Sequence, residues 1–177
     1  MKLGVNLYSV RKFLQSEAEV RETFRKIRAI GYDVVQLSGA APMEAKTVCD
    51  IAKEYALPVV CTHSPFDRIL HDTDALIREH KTYGCPVIGL GSLPTAMRTK
   101  EADLRAMLEA MRKPVAKIRA AGLSFAYHNH AFEFAPLAGL EATLIRPAYL
   151  HMKDAIGAEQ AMVPVGMGDG CYDIPYC

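Results

Sequence analysis

A chain of 177 residues, half of them hydrophobic, lies in the size range of one domain and can bury a sizeable core. Its formal net charge of +1, with acids and bases interspersed, removes the electrostatic footprint of a nucleic-acid binder and points to a small, mostly neutral ligand. No apolar run approaches the roughly 18 residues that span a bilayer, and MKLGVNLYSV enters strand-like sequence with no signal-peptide layout, so a cytoplasmic protein without a membrane partner is expected.

Short β-branched apolar runs recur, each followed by a longer amphipathic segment, the pattern of parallel strands joined by helical crossovers. Leu3 to Ser9 is the first strand. In Glu17 to Ile30, Val20, Phe24, Ile27 and Ile30 recur at helical spacing before Gly31 supplies a stop. Asp33 to Gly39 is the second strand, and Val48, Ile51, Ala52 and Tyr55 mark the helix after it. Pro58 to Ser64 is the third, with a helix from about Thr73 to Tyr83. Pro86 to Ser92 is the fourth; the helix beyond it carries Leu104, Met107, Leu108, Met111, Val115 and Ile118 on one face, with Pro114 expected to kink or divide it. Leu123 to His130 is the fifth strand and Ala148 to Asp154 the sixth, and a loop rich in Gly and Pro leads from there to Cys177.

Six such strands fit a closed (β/α) barrel or an open doubly wound sheet. The polar residues favour the barrel: Tyr8, Gln36, His63, His128, His130, His151 and Lys153 all fall at or near strand C-terminal ends, which a barrel gathers at one mouth.

The richest stretch is FAYHNHAFEF, Phe125 to Phe134. Alternation puts His128 and His130 on one face, and Glu133 follows past the strand end, where a turn can bring its carboxylate over the mouth. Imidazole nitrogen with carboxylate oxygen suits a divalent ion such as Mn, Co, Zn or Mg. A single histidine here is more often a hydrogen-bonded strand residue; two on one face beside an acid reverse that preference. His151 and Lys153 in HMKD again share a face, and an inward Lys153 can hold an anionic or hydroxyl-rich substrate or stabilise charge developing on oxygen, or else be the solvated end of a strand. His63 is placed for a substrate hydrogen bond, Arg11 for a carboxylate or phosphate, and His71 and His80 are expected at the surface. GMGDG, Gly166 to Gly170, fails as a dinucleotide loop because no helix follows it. The five cysteines, Cys49, Cys61, Cys85, Cys171 and Cys177, contain no CxxC pair, so neither a zinc ribbon nor a disulfide framework is expected, and Cys61 and Cys85 read as packing residues.

LYSVR, GYDVVQLSG, THS, YHNHAFEF, HMKD and PVGMGDGCYDIP, in that order, resemble the landmarks of the sugar phosphate isomerase/epimerase group of xylose isomerase-like TIM barrels. The resemblance implies one divalent metal at the barrel mouth, polarising hydroxyl and carbonyl oxygens while a carboxylate moves a proton on carbon. By position, His151 matches the family's histidine ligand and the cluster of His128, His130 and Glu133 its neighbour; which of those three touches metal stays open. Glu133 is the candidate for proton transfer.

The sequence departs from that pattern. Ala135 to Ala148 is too short for the helix and strand the family fits there, the chain stops before a last acidic ligand, and Gln36 and Met167 stand where relatives often carry glutamate. The expectation is therefore an α/β TIM-type barrel over residues 1–177, shortened between 135 and 148 and truncated at the C-terminus, with about six of eight βα units. Open sheet edges would invite a homo-oligomer. The expected activity is a metal-dependent sugar isomerase or epimerase, with Glu133 and Lys153 catalytic, Tyr8, Arg11, His63 and His128 on substrate, and His130, His151 and Glu133 on metal. Rival readings are a dehydratase or lyase on the same scaffold, a vestigial or non-catalytic sugar-binding homologue and, last, an endonuclease of the related repair fold.

Overall fold

The computed structural model describes residues 2–97, 100–128, 130, 154–156 and 161–163. The chain divides into two compact units, Met1–Pro147 and Ala148–Cys177.

The first unit begins with β1 (Gly4–Asn6), shorter than expected because the Asn6 side-chain oxygen accepts the Tyr8 N–H at 3.0 Å and turns the chain into a 3-10 segment, Leu7–Phe13. Helix α1 (Glu17–Ile30) opens on Ser16, whose Oγ accepts the Glu19 N–H at 3.3 Å while the Glu19 carboxylate accepts the Gln15 N–H at 2.8 Å. There follow β2 (Val34–Leu37), α2 (Ala45–Glu54), β3 (Val59–Thr62), α3 (Phe66–His71), α4 (Thr73–Tyr83), β4 (Val87–Leu90), α5 (Glu101–Ala120) and β5 (Ser124–Tyr127). Helix α3 went unread in the sequence because its six residues are too few for a helical period to declare itself. Pro114, expected to kink or divide α5, does not divide it. Its loss of one N–H is outweighed by buried anchors on both sides, Met107 and Met111 before it and Ile118 after it, which hold the two halves to one core. Leu108, expected on the same apolar face, is half exposed.

Strands β1, β2 and β3 pair in parallel, as do β4 and β5, and a parallel bridge between Ser64 and Leu90 links the two sets. Spatial order therefore follows chain order from β1 to β5, with a helical crossover at each step up to β5. A doubly wound sheet would reverse direction at a switch point. Sequential order is barrel winding, which decides the question that periodicity left open.

One face of this sheet meets the helices. Val35 and Val59 bury with Phe24 and Ile51 beneath α1 and α2, and Ile88 and Leu90 bury with Leu76 and Ile118 beneath α3, α4 and α5. Alternation sends Asn6, Gln36, Gly89, Ala126 and His128 to the other face. In β3 the alternation is broken. Val35 pairs with Val59 but Gln36 pairs with Cys61, so Val60 is an extra residue, and Thr62 turns to the helices while Cys61 and His63 join the opposite face.

The second unit contains β6 (Asp154–Ile156), antiparallel to β7 (Ala161–Val163) with Asp154 opposite Val163. The expected sixth strand, Ala148 to Asp154, lies outside the described residues except for Asp154, and the expected terminal loop holds this hairpin, whose three-residue strands are too short to show a period of two. Among the described residues no helix is long and apolar enough to cross a membrane.

Candidate functional site

Three of the expected site residues come together at the C-terminal ends of β3 and β5. The His63 N–H donates to the Leu37 carbonyl at 2.9 Å and the His128 N–H to the Leu90 carbonyl at 2.9 Å, so each continues its sheet ladder one residue past the strand. Their rings meet edge to face, with centroids 5.0 Å apart and planes at 77°. His130 lies two residues beyond, its ring 4.7 Å from that of His128. All three are half-buried.

Glycine on the intervening strand makes the meeting sterically feasible. A Cβ on Gly91 would lie 2.7 Å from His63 Nδ1 and 2.8 Å from its Cγ, so a side chain there would displace the imidazole. Gly89, one pleat earlier, lets β3 and β4 close: a Cβ there would lie 2.2 Å from the Thr62 carbonyl oxygen, and the Ser64 N–H donates to the Gly89 carbonyl at 2.7 Å. These glycines carry no motif; the signal was their alternation, Gly89 and Gly91, on the face that bears the histidines.

Tyr8 and Arg11 form a separate pair against Gly39. The guanidinium stacks 4.2 Å above the Tyr8 ring and donates to the Tyr8 carbonyl at 2.9 Å, and Tyr8 is half exposed. Among the described residues Arg11 forms no ion pair. Glu133, His151 and Lys153 lie outside the described residues.

His80 corrects an expectation. Rather than a surface residue it is 1% exposed, its Nε2 2.8 Å from Thr62 Oγ1 and its Nδ1 2.7 Å from the Leu76 carbonyl. A carbonyl only accepts, so Nδ1 carries the proton, the Thr62 hydroxyl donates to Nε2, and the Ser64 hydroxyl, 3.1 Å from Thr62 Oγ1, donates in turn. This relay ties α4 to the strand end that carries His63. No local pattern signals it, because Thr62 meets the helices only through the extra residue in β3.

Burial holds the His80 pKa below its ordinary value, opposed by the Leu76 carbonyl and by Glu79, and assisted by Arg68. A lowered pKa means that the unfolded chain binds the proton more readily. Stability is then fully present above the unfolded value, near 6.5, and is lost as pH falls through the native one. The thermal midpoint is expected to drop on going from pH 7.5 to pH 5.5 with a slope of at most about 1.4 kcal/mol per pH unit from this group, and His80→Gln should flatten that profile. An unchanged profile in His80→Gln would show that the ring is not buried neutral.

Cys61 and Cys85 are packing thiols, as expected: burial pushes them up to about 11 and about 12, too high for a thiolate at neutral pH. No three His, Cys, Asp or Glu among the described residues stand together so as to hold a metal ion. The described residues alone therefore do not fit a divalent ion. An apolar groove of about 500 Å³ beside α5, lined by Met111, Val115, Phe125 and Tyr127, lies on the helix side of the sheet and has none of the imidazoles.

No protein-family model matches the chain, and no curated protein matches it in sequence. Solved structures do. A sugar phosphate isomerase/epimerase from Parabacteroides distasonis superposes with a TM-score of 0.64 over 86% of this chain and 60% of its own, at 18% identity. An AP endonuclease of family 2 from Brucella melitensis gives 0.55 over 72% and 55%, at 15% identity. A xylose isomerase-like TIM barrel protein from Mycobacterium smegmatis, in complex with magnesium, gives 0.54 over 71% and 54%, at 11% identity. These likenesses establish the fold, a TIM-type (β/α) barrel, of which the described residues supply five parallel strands. The chain spans a little over half the length of these structures.

Proposed function

We propose that the mouth formed by the ends of β3 and β5 binds a sugar or sugar derivative and moves a proton on carbon next to a carbonyl, as an isomerase or epimerase does. The observation that carries this reading is the row His63, His128, His130, with rings 5.0 Å and 4.7 Å apart. Imidazole ordinarily titrates near neutrality and can both take and give a proton, which suits removal and return at carbon. His63 and His128, in ring contact, hold substrate hydroxyls on one side; His130, at the outer end of the row, is the group nearest to Glu133 in sequence and shares proton handling with it. Tyr8 and Arg11 offer a stacked cation for an anionic substituent. Lys153 would stabilise charge developing on oxygen.

The sugar phosphate isomerase/epimerase and the AP endonuclease share this fold, so the fold does not choose between them. The formal net charge of +1 favours a small ligand over a nucleic-acid backbone. A divalent ion with His130, Glu133 and His151 among its ligands belongs to the isomerase reading, but no step above is routed through it. Gln36 and Met167, standing where relatives often carry glutamate, favour the second reading, a sugar-binding homologue without catalysis.

One experiment separates the two. The full chain is incubated with a panel of ketoses in deuterated water, with Mn²⁺ or Co²⁺ and with a chelator, and deuterium at carbon is followed by NMR. Incorporation that needs metal and is lost in Glu133→Ala and His130→Ala supports the isomerase reading. Sugar binding without exchange, metal present or absent, leaves the binding homologue.

A further inference from the structure

Gln36 occupies the third position of β2, with Asn6 of β1 and Cys61 of β3 as its register partners, on the face turned away from the helices. It is 8% exposed, and its side-chain nitrogen Nε2 is buried without a hydrogen-bond partner among the described residues. Buried polar groups are nearly always satisfied, and an unmade amide hydrogen bond is costly, so a native sheet that leaves one needs a reason.

The neighbouring side chains do not provide an acceptor. Asn6 Oδ1 already accepts the Tyr8 N–H at 3.0 Å and the Ser38 hydroxyl at 2.6 Å, which uses both of its lone pairs. Cys61 offers a neutral thiol, a weak acceptor, whose hydrogen points to the Thr62 carbonyl at 3.5 Å. One pleat further along β3, on this same face, stands His63 with its ring against His128. The unused donor therefore lies at the base of the imidazole row.

We infer that Gln36 Nε2 is a ligand-binding donor at the floor of this site, taking a hydroxyl or carbonyl oxygen of a neutral polyol; the inference rests on the proposed sugar-binding reading. An uncharged amide N–H takes a neutral oxygen acceptor without the added attraction for an anion that a cationic side chain would exert. A carboxylate at this position would accept instead, and would do so buried with no cation among its register partners. Gln36 is in this sense a specificity device: it reads the ligand's oxygen pattern, while His130 and Glu133 handle the proton.

The test uses the full chain and D-fructose as probe. The Gln36 side-chain amide signal, assigned by its loss in Gln36→Leu, is followed by NMR together with the His63 and His128 ring signals. The expected result is that amide and imidazole signals shift along one binding curve. Gln36→Leu should weaken D-fructose binding tenfold or more while raising the thermal midpoint of the unliganded protein by about 2–4 °C. Imidazole signals that shift while the Gln36 amide stays still would overturn the inference and leave the proposed function standing, the donor then being satisfied by water. A lower midpoint in Gln36→Leu would also overturn it, by showing that the amide is structural. If no signal shifts, ketose binding itself fails and the inference falls with it.

Discussion

Gly89→Ala is expected to destabilise the protein by about 3 kcal/mol or more, at or beyond the upper end of ordinary overpacking. The new Cβ would lie 2.2 Å from the Thr62 carbonyl oxygen. Both sides of that clash are backbone, so no rotamer change relieves it. Relief requires β3 and β4 to part, which breaks the 2.7 Å bond from the Ser64 N–H to the Gly89 carbonyl and the bridge that joins the two parallel sets. Against a total stability of about 5–15 kcal/mol for a typical domain, such a loss is large. Urea unfolding measures it, and a loss below about 1 kcal/mol would show that the strands do not approach as described.

Gly91→Ala separates site from scaffold. Here the clash is with a side chain, the His63 ring at 2.7–3.1 Å, and the ring can turn away. The stability cost should be near the low end of overpacking, about 1 kcal/mol. The functional cost should be much larger. With His63 displaced, the contact with His128 is lost and, on the proposed reading, substrate is no longer held in register with the proton-handling groups, so deuterium exchange on a ketose is expected to fall on the order of 10²-fold, the cost of a misplacement of about 1 Å. The measurement pairs the exchange rate with the thermal midpoint. Retained exchange with a displaced His63 signal would remove the imidazole row from the mechanism.

The pairing of these glycines shows what a linear reading lacks. PVIGLGS reads as a buried strand, and its glycines as weak points in it. Only the close approach of β3 explains the first, and only the ring of His63 explains the second. The same limit applied to His80. Its place in a helix of mixed polarity suggested solvent, but its partner Thr62 lies 18 residues back on a strand, and the hydrogen bond that accounts for its burial is not local.

Local physics made much of the chain legible in advance. Helix α1 begins at Ser16 and ends at Gly31 because capping and left-handed stops are properties of a few adjacent residues. The order of strands and helices in the first unit, and the sharing of one face by His128 and His130, follow from periods of 3.6 and 2, which any short stretch carries within itself. What the sequence could not determine is whatever depends on the register between strands. Barrel winding rather than a switch point emerged only from the order β1 to β5. The face of His63 was decided by one extra residue, Val60: strict alternation from the helix-facing Val59 would have sent His63 toward α4, and the slip in pairing turns it to His128 instead. A strand's period is local, but the point at which it skips is set by the strand beside it, and the imidazole row at the mouth depends on that skip.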